Sequence, residues 1–394
     1  MYIPSLLVTH HGLALDDKTL FRKSEAVMKT SAINLLKSVG VNAKEIFLAL
    51  GLEQEFFIIP KSAYHKRQDL LFTGRTLVGR VGAKNQQFSD HYFAKIPNDI
   101  ETVLREVENE FLEIGIPFKT RHNEVANNQF EYACIFTDAG KAIDQNLIAM
   151  EILKELFEKK GYIALLHEKP FLEINGSGKH ANWSINYVDE DNKLKNLFSV
   201  PKDEADIPFF RLFVLLTLNA IRRNNPLYFA AIAKPGNEVR LGGHEAPPRI
   251  ISAYLGQTVS NVVDGKPAPV RKNLRNELFF LEEDVYQEDT DRNRTSPFAY
   301  TGHKFEFRAL GSSQNAAWPM AVICATLAKE FQEAEKKIRE GGYTINSLIE
   351  ELLKDTQPVR FEDDGYSHEW GEEAKRRGLY VNESFCELFD RLNN

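Results

Sequence analysis

This chain has few cysteines, no excess of positive charge and no long apolar run, and each shortage excludes a class of protein. Its three cysteines, Cys134, Cys324 and Cys386, are odd in number and scattered, which fits neither a disulfide framework nor a paired zinc motif. The 56 acidic and 49 basic side chains give a net charge of −7, so no broad positive field faces a phosphate backbone. We therefore expect a cytoplasmic protein without a nucleic-acid partner.

Targeting and membrane-spanning patterns are missing from the sequence as well. Residues 1–12, MYIPSLLVTHHG, have no basic region and only a short apolar run, unlike a secretory signal. The most apolar stretch, 209–221, contains Arg211 and is shorter than the about 20 residues that span a bilayer. It predicts a buried core helix, and we expect no membrane partner.

Periodicity in the remaining sequence predicts a mixture of helices and strands. Helical spacing runs through residues 21–39, 99–114 and 142–160, with glycine stop signals after the last two. Short β-rich runs occupy 46–59, 163–167, 183–188, 227–233 and 304–310. Because neighbouring runs look hairpin-like, the order predicts an α+β fold with an antiparallel sheet. The polar tail from residue 355 onward is expected to cover the surface.

Two glutamates stand two residues apart within the apolar run LALGLEQEFFII, residues 48–59. In a strand, Glu53 and Glu55 would share one face at a separation of about 6.5 Å. Burying two unpaired like charges costs several kcal/mol, so a cation is expected between them. A solvated strand face is the alternative.

A second carboxylate pair lies in HNEVANNQFEYACIF, residues 122–136. Asn127 and Asn128 can form a two-residue hairpin loop because asparagine tolerates a positive φ angle. That register places Glu124 opposite Glu131 with Cβ atoms about 5 Å apart, a repulsive pair unless a divalent cation is shared. An exposed acidic hairpin is the alternative, which the apolar flank 132–136 disfavours. Two pairs therefore predict one metal cluster.

A glycine-rich loop, NGSGKHANWS, occupies residues 175–184. It does not match the phosphate-loop pattern GxxxxGK[ST], because Glu173 and His180 stand where glycine and Ser or Thr are required. Its backbone could still approach a small ligand closely. His180 is a candidate metal ligand, although a single histidine taken alone is more often structural.

Two later motifs, VRLGGHEAPP at 239–248 and DRNRTSPFAYTGHKFEFR at 291–308, carry candidate anion clamps. A guanidinium can fork onto carboxylate or phosphate oxygens, and surface ion pairs are the alternative. The candidates are Arg240, Arg292, Arg294 and Arg308.

Strand alternation in KFEFR places Lys304, Glu306 and Arg308 on one face and two phenylalanines on the other. This pattern indicates a core behind the strand and a site in front of it. Glycines and prolines flank Glu245, which predicts a loop that could close over that site.

Taken in order, these five motifs resemble the glutamine synthetase family, specifically its large type III branch, from roughly residue 5 to 375. The resemblance implies a catalytic domain over 1–375, a C-terminal tail over 376–394 and a curved antiparallel sheet flanked by helices. The implied activity is ATP-dependent ligation. The side-chain carboxylate of glutamate is phosphorylated, and ammonia displaces phosphate to give glutamine.

The resemblance also implies the site residues. Glu55, Glu124 and Glu131 match ligands of the metal nearer glutamate, and Glu53, His180 and Glu306 match ligands of the metal that holds the nucleotide phosphates. Two or three Mg²⁺ ions per site are implied, with Mn²⁺ possible, because hard oxygen ligands and phosphates suit these ions. The glutamate site is matched by His122, Asn175, Gly176, Arg240 and Arg308. Nucleotide contacts are matched by Phe136, Ser184, Lys304 and Arg294. Catalytic roles fall to Glu245, Arg294 and Arg308, with Glu245 on the flap that shields the acyl phosphate.

Two departures from the family pattern stand out. Asn127 and Asn128 replace the usual proline and glycine, which should change the turn without removing a ligand. The family's N-terminal β-grasp domain has no counterpart before Met1, and the C-terminal region is short, so we expect the catalytic domain alone. The assembled enzyme would be a homo-oligomer of stacked rings. A γ-glutamyl-amine ligase and a non-catalytic form that binds glutamate or nucleotide are the alternatives.

Overall fold

The fold is built on one ten-stranded sheet. The computed structural model describes residues 3, 5–80, 82, 85–243, 245–267, 273–276, 283–286, 289, 296–381 and 384–393. The strands are β1 (Glu45–Pro60), β2 (Phe118–Asn123), β3 (Gln129–Cys134), β4 (Thr137–Asp138), β5 (Tyr162–Leu165), β6 (Lys179–Val188), β7 (Leu194–Asn196), β8 (Ala253–Tyr254), β9 (Phe298–Tyr300) and β10 (Phe305–Phe307).

Strand pairing is antiparallel except between β8 and β9, which run parallel. The sheet order is β2-β3-β1-β6-β10-β9-β8, while β4 and β5 pair with β1 and β7 pairs with β6. The predicted α+β fold with an antiparallel sheet is therefore confirmed, with one parallel pair at its edge. The long strands β1 and β6 lie at the centre, where ten consecutive residue pairs join them.

The helices flank this sheet. They are α1 (Asp17–Ser38), α2 (Lys61–Tyr64), α3 (Gln68–Thr73), α4 (Asp90–Phe93), α5 (Asn98–Glu113), α6 (Ala139–Lys159), α7 (Ile207–Arg223), α8 (Asn225–Ala231), α9 (Pro235–Arg240), α10 (Gln257–Val263), α11 (Ala317–Glu340), α12 (Ile345–Asp355), α13 (His368–Arg376) and α14 (Phe385–Asn393). The predictions for α1, α5, α6 and α7 are confirmed. Gly115 and Gly161 follow α5 and α6 with φ angles of 80° and 85°, as helix stops require. Within the described residues, none of the helices combines the length and the apolar character that a membrane span requires.

Alternation along the central strands separates the core from the site. On β1, the even-numbered residues 46–52 pack with the helices, so Glu53 and Glu55 project from the opposite face. On β6, Trp183 is in the same core, and His180 projects away from it. Phe305 and Phe307 of β10 are fully buried in this core, as the KFEFR pattern predicted. The helix-covered face therefore anchors the strands, and the other face is left for chemistry.

The prediction of a strand over residues 227–233 is wrong, because helix α8 covers most of that segment. A proline near the helix start suits the first turn. Tyr228 is buried with its ring 5.5 Å from that of Phe298 and 6.4 Å from that of Phe307. Tertiary packing of the aromatic side chains thus outweighs their preference for strands.

The C-terminal tail from residue 355 onward, which was expected to cover the surface, also contributes side chains to the core. Trp370 and Ala374, one helical turn apart on α13, are buried, as are Phe385 and Leu388 near the start of α14. Amphipathic helices of this kind pack one face on the core. The domain boundary at residue 375 stays a prediction.

Candidate active site

Strands β1, β6 and β10 bring one histidine among three carboxylates. Backbone pairing sets Glu53 opposite His180, while Glu306 lies on the next strand opposite Asn182. The His180 Nδ1 atom is 3.0 Å from Glu53 Oε2 and 3.3 Å from Glu306 Oε1. Its Nε2 atom is 3.6 Å from Glu55 Oε1. The three strands therefore build one group of closely spaced ligand-type atoms.

Strands β2 and β3 extend this group. Glu131 pairs with Glu55 across β3 and β1, and with His122 across β3 and β2. His122 Nε2 is 3.0 Å from Glu124 Oε1 and 3.6 Å from Glu131 Oε1. Two sets of ligand atoms each lie within 4.8 Å of one another: Glu53, Glu131 and His180, and His122, Glu124 and Glu131. We call Glu53, Glu55, Glu124, Glu131, Glu306, His122 and His180 the acidic cluster.

The predicted turn at Asn127 and Asn128 forms, because the Gln129 amide donates to the Ala126 oxygen at 3.1 Å and Asn128 has a φ angle of 60°. The predicted pairing register between β2 and β3 is wrong. His122, rather than Glu124, occupies the position opposite Glu131. Glu124 lies beyond the end of β2, in a wider turn that Gln129 stabilises by accepting the Ala126 amide at 3.2 Å. The width of this turn was not predictable from the sequence, because it depends on the Gln129 side chain, which folds back into the turn. Although Glu124 does not lie opposite Glu131 as predicted, its carboxylate still belongs to the acidic cluster.

Burial makes the carboxylates of this cluster unfavourable as bare charges. Burial raises the pKa of Glu55, and the charge of Glu124 raises it further. The Gly178 amide compensates in part by donating to Glu55 Oε2 at 2.7 Å. Glu124 Oε2 is buried without a hydrogen-bond partner. A buried carboxylate oxygen of this kind calls for a cation or a donor, and the carboxylate-rich donor set suits a hard divalent ion.

The histidine of the cluster responds to the same charges. Burial lowers the pKa of His180, but hydrogen bonds to Glu306 and Glu53 outweigh it and raise that pKa to about 10. Although burial raises the pKa of Glu306, the charge of Arg308 and the contact with His180 hold it well below its usual range. Arg308 Nε donates to Glu306 Oε2 at 2.9 Å. A metal ion would compete with the His180 proton, because only neutral imidazole nitrogen ligates metals.

The glycine-rich loop makes room for an arginine. A Cβ atom on Gly178 would lie 2.2 Å from Arg240 Nη2, and one on Gly176 would lie 2.9 Å from Arg240 Cγ. The guanidinium is buried and donates to the backbone oxygens of Arg308 at 3.2 Å and Leu310 at 3.0 Å. Arg240 Nε is buried without a hydrogen-bond partner. The matched glutamate-site residues Gly176, Arg240 and Arg308 therefore lie together.

Gln129 links this loop to the β2–β3 turn, and sequence reasoning missed it. Its side-chain amide donates to the Gly176 carbonyl at 3.0 Å, and its side-chain oxygen accepts from Asn175 Nδ2 at 3.2 Å. The Asn175 side chain is thereby oriented, and its Oδ1 atom is buried without a partner. In the sequence, the one indication that Gln129 links these segments is its position, one residue after the predicted turn.

Residues around α4 also reach the site, and nothing periodic in the sequence marks them. His91 Nδ1 is 2.8 Å from the backbone oxygen of Glu124. The Tyr92 ring meets the His122 ring edge-on, with centroids 6.0 Å apart. Gln86 accepts the backbone amide of Asn175. These contacts are all distant in sequence, so local patterns could not reveal them.

The described residues matched to nucleotide contacts, Phe136, Ser184 and Lys304, lie on the same face of the sheet. Ser184 and His180 share one face of β6. Phe136 lies against β1, since a Cβ atom on Gly51 would be 3.2 Å from Phe136 Cβ. Burial lowers the pKa of Lys304, while carboxylates of the acidic cluster oppose that change. Together these side chains surround the β1–β6–β10 side of the cluster.

The predicted flap is a tight turn in the structure. Glu245 is exposed at a φ angle of 63°, and the Gly242 amide donates to the Pro247 oxygen at 2.9 Å across the turn. The mobility of this segment stays a prediction. Arg292 and Arg294 lie outside the described residues.

The chain is similar in sequence to proteins of known family. A family model described as glutamine synthetase, catalytic domain, matches residues 31–211, and one described as glutamine synthetase C-terminal domain matches residues 344–394. The chain is 41% identical to a glutamine synthetase of Bacteroides fragilis, over 96% of this chain and 53% of that protein. It is 40% identical to the type-3 glutamine synthetase of Dictyostelium discoideum, over 100% of this chain and 54% of that protein.

The chain thus spans about half the length of these relatives. Among solved structures, the cryo-EM structure of Plasmodium falciparum glutamine synthetase matches with a TM-score of 0.51 at 17% identity. That match covers 82% of this chain and 57% of the other chain. At such low identity the likeness supports the shared fold alone.

Proposed function

Because the chain belongs to the glutamine synthetase family, we propose that it is an ATP-dependent ligase that joins ammonia to the side-chain carboxylate of glutamate. The products would be glutamine, ADP and phosphate. The observation that carries this proposal is the acidic cluster, whose overlapping ligand sets lie on the sheet face opposite the helices. The enzyme would work in the cytoplasm as a homo-oligomer of stacked rings, as the family resemblance implies.

The cluster fits divalent cations, Mg²⁺ or Mn²⁺. Glu55, Glu124 and Glu131 would hold the ion nearer glutamate, and Glu53, His180 and Glu306 would hold the ion nearer the nucleotide. When bound, such ions neutralise phosphate charge and stabilise a phosphoryl group in transfer. The buried, unpartnered Glu124 Oε2 and the raised pKa of Glu55, which burial and the Glu124 charge produce, support this assignment.

The glutamate substrate would lie between the cluster and the glycine-rich loop. Asn175 Oδ1, an unpartnered acceptor, suits the substrate ammonium group. Arg240 offers its buried Nε donor, and Arg308 adds positive charge beside Glu306. His122 would border the same subsite through its place next to Glu124 and Glu131. These residues bind and orient the substrate, which lowers the entropic part of the barrier.

In the first step, a side-chain carboxylate oxygen of glutamate attacks the γ-phosphorus of ATP. The bond between that phosphorus and the bridging oxygen breaks, and ADP leaves. In the second step, ammonia attacks the acyl carbon of γ-glutamyl phosphate. The bond between that carbon and the phosphate oxygen breaks, phosphate leaves, and the nitrogen releases one proton to give the amide. Glu245 would stand where its turn keeps water from the acyl phosphate, and Lys304, Ser184, Phe136 and Arg294 would orient the nucleotide.

An ADP-release assay with glutamate, Mg²⁺ and a series of amines tests the proposal. We expect ADP formation to require glutamate and to be accompanied by glutamine when ammonium is the amine. Preference for a larger amine would instead identify a γ-glutamyl-amine ligase. Glutamate or ATP binding without ADP formation under any condition would identify a non-catalytic binding protein and overturn the proposal.

A further inference from the structure

Tyr366 connects the C-terminal part of the chain to the turn that carries Glu245. Its hydroxyl donates a hydrogen bond to the backbone oxygen of Ala246 at 2.6 Å. We propose that Tyr366 is a positioning residue that holds the Glu245 turn in place during the reaction. This inference rests on the proposed function, because the turn matters only if an acyl phosphate must be protected from water.

The segment that carries Tyr366 is firmly attached to the body of the protein. The Phe361 amide donates to the Ala253 oxygen at 3.0 Å, beside strand β8. The Glu362 carboxylate accepts the Leu255 amide at 3.1 Å. The Phe361 ring stacks on Trp370, with centroids 3.6 Å apart and planes 13° from parallel. Tyr366 therefore extends from a fixed support toward the turn.

The turn itself needs such support. Glu245 has a φ angle of 63°, a left-handed conformation that non-glycine residues adopt only when their surroundings enforce it. Within the turn, the Ala246 amide donates to the Gly243 oxygen at 3.2 Å. Ala246 is buried whereas Glu245 is exposed, so a bond to the Ala246 carbonyl fixes the residue next to the predicted shield. Tyr366 supplies that bond from outside the turn.

Tyr366→Phe tests the proposal because it removes the hydroxyl and keeps the ring. Hydrogen–deuterium exchange should show the peptide containing Ala246 exchanging roughly three- to ten-fold faster, as expected for the loss of one neutral hydrogen bond. Tyr162→Phe is the matched control. It removes the hydroxyl of Tyr162, a residue of the edge strand β5 that donates to Asp99 Oδ2 at 2.5 Å. Unchanged exchange at the turn in Tyr366→Phe would overturn the proposal.

A second readout measures water access to the acyl phosphate. Hydroxylamine can replace ammonia, so the ratio of γ-glutamyl hydroxamate to phosphate reports how often the acyl group is captured before hydrolysis. We expect Tyr366→Phe to lower this ratio several-fold and to add no further loss in a Glu245→Ala background, because both changes act through the same carboxylate. Additive losses would overturn the assignment of Tyr366 to Glu245.

The two proposals fail separately in these experiments. If the wild-type chain forms neither glutamine nor hydroxamate, the proposed function fails, while the exchange experiment still decides whether Tyr366 holds the turn. If the wild-type chain is active and Tyr366→Phe changes neither exchange nor capture, only the role of Tyr366 is overturned.

Discussion

His180 on β6 lies directly opposite Glu53 on β1, and its Nδ1 atom is 3.0 Å from Glu53 Oε2. The ladder that aligns them continues for ten residue pairs, from Glu45 and Val188 to Gln54 and Lys179. Ligands mounted on two central strands keep their spacing better than ligands on loops would. The proposed metal site would thus be preorganised by the same pairing that builds the sheet.

Glu131 is the residue whose loss should most weaken metal binding, because it belongs to both sets of ligand atoms. We expect Glu131→Gln to lower Mn²⁺ affinity at least ten- to a hundred-fold, the range seen when a supporting residue of a metal site is removed. Isothermal titration calorimetry with Mn²⁺ would measure it. Glu110→Gln, an exposed change on α5, is the control and should bind Mn²⁺ normally. Equal affinities in the two variants would contradict the metal assignment.

Metal binding should also stabilise the fold. An ion present at about 100 times its Kd adds about 2.7 kcal/mol to the free energy of unfolding. We therefore expect Mg²⁺ or Mn²⁺ to raise the Tm of the wild-type chain and of Glu110→Gln, and to raise that of Glu131→Gln by about half as much or less. Differential scanning fluorimetry with and without the ions would measure the shift. A similar shift in Glu131→Gln would show that the ions bind elsewhere.

Glu245 should matter for capture of the intermediate and little for the nucleotide. Its side chain is exposed on a turn, so Glu245→Ala should not unfold the protein. We expect the amount of glutamine formed per ADP to fall while the Kd for a non-hydrolysable ATP analogue stays within about two-fold of the wild-type value. Parallel losses of nucleotide affinity and turnover would argue against a shielding role.

Faces of strands were predictable from sequence, because side chains alternate with a period of two. Glu53 with Glu55, and Glu306 between two phenylalanines, project as that rule requires. The width of the β2–β3 turn was not predictable, because Gln129 sets it by bonding within the turn. Local periodicity carries no information about such a side chain.

Contacts between segments that are far apart in sequence were equally unpredictable from local patterns. His91 reaches the backbone of Glu124, 33 residues away, from a short helix that no pattern marked. Tyr366 reaches Ala246 across 120 residues. Residues of this kind support the candidate site residues that motifs identify, and only the folded chain brings them into place.

Gly178 should be required for the position of Arg240. A Cβ atom there would lie 2.2 Å from Arg240 Nη2, so Gly178→Ala must displace a buried guanidinium. We expect a loss of about 1–3 kcal/mol in the free energy of unfolding, typical of an overpacked interior, together with weaker glutamate binding. Urea denaturation and glutamate titration would measure the two effects. Gly371→Ala is the control, because a Cβ atom on this helical glycine meets nothing within 4 Å. It should be neutral or slightly stabilising.

Glu101 should make the stability of the β2 region depend on acid pH. Hydrogen bonds from Arg121 outweigh partial burial and lower the pKa of Glu101 to about 2, from its ordinary 4.5. The bonds are a fork from Arg121 Nε at 3.1 Å and Nη2 at 2.8 Å, and they fasten α5 to the strand that carries His122. A carboxyl with a lowered pKa contributes stability above pH 4.5 and loses it as the pH falls towards 2.

We therefore expect Glu101→Gln to lower the free energy of unfolding at pH 7 by less than about 1 kcal/mol, since the pair is only partly buried and solvent still screens it. The difference from wild type should shrink steadily below pH 4.5, because the unfolded wild-type chain then binds a proton at Glu101 that the folded chain binds only near pH 2. Urea denaturation at several pH values would measure it, with Glu110→Gln, an exposed change on the same helix, as the control. A difference that stays constant or grows on acidification would mean that the Arg121 fork does not set the protonation of Glu101.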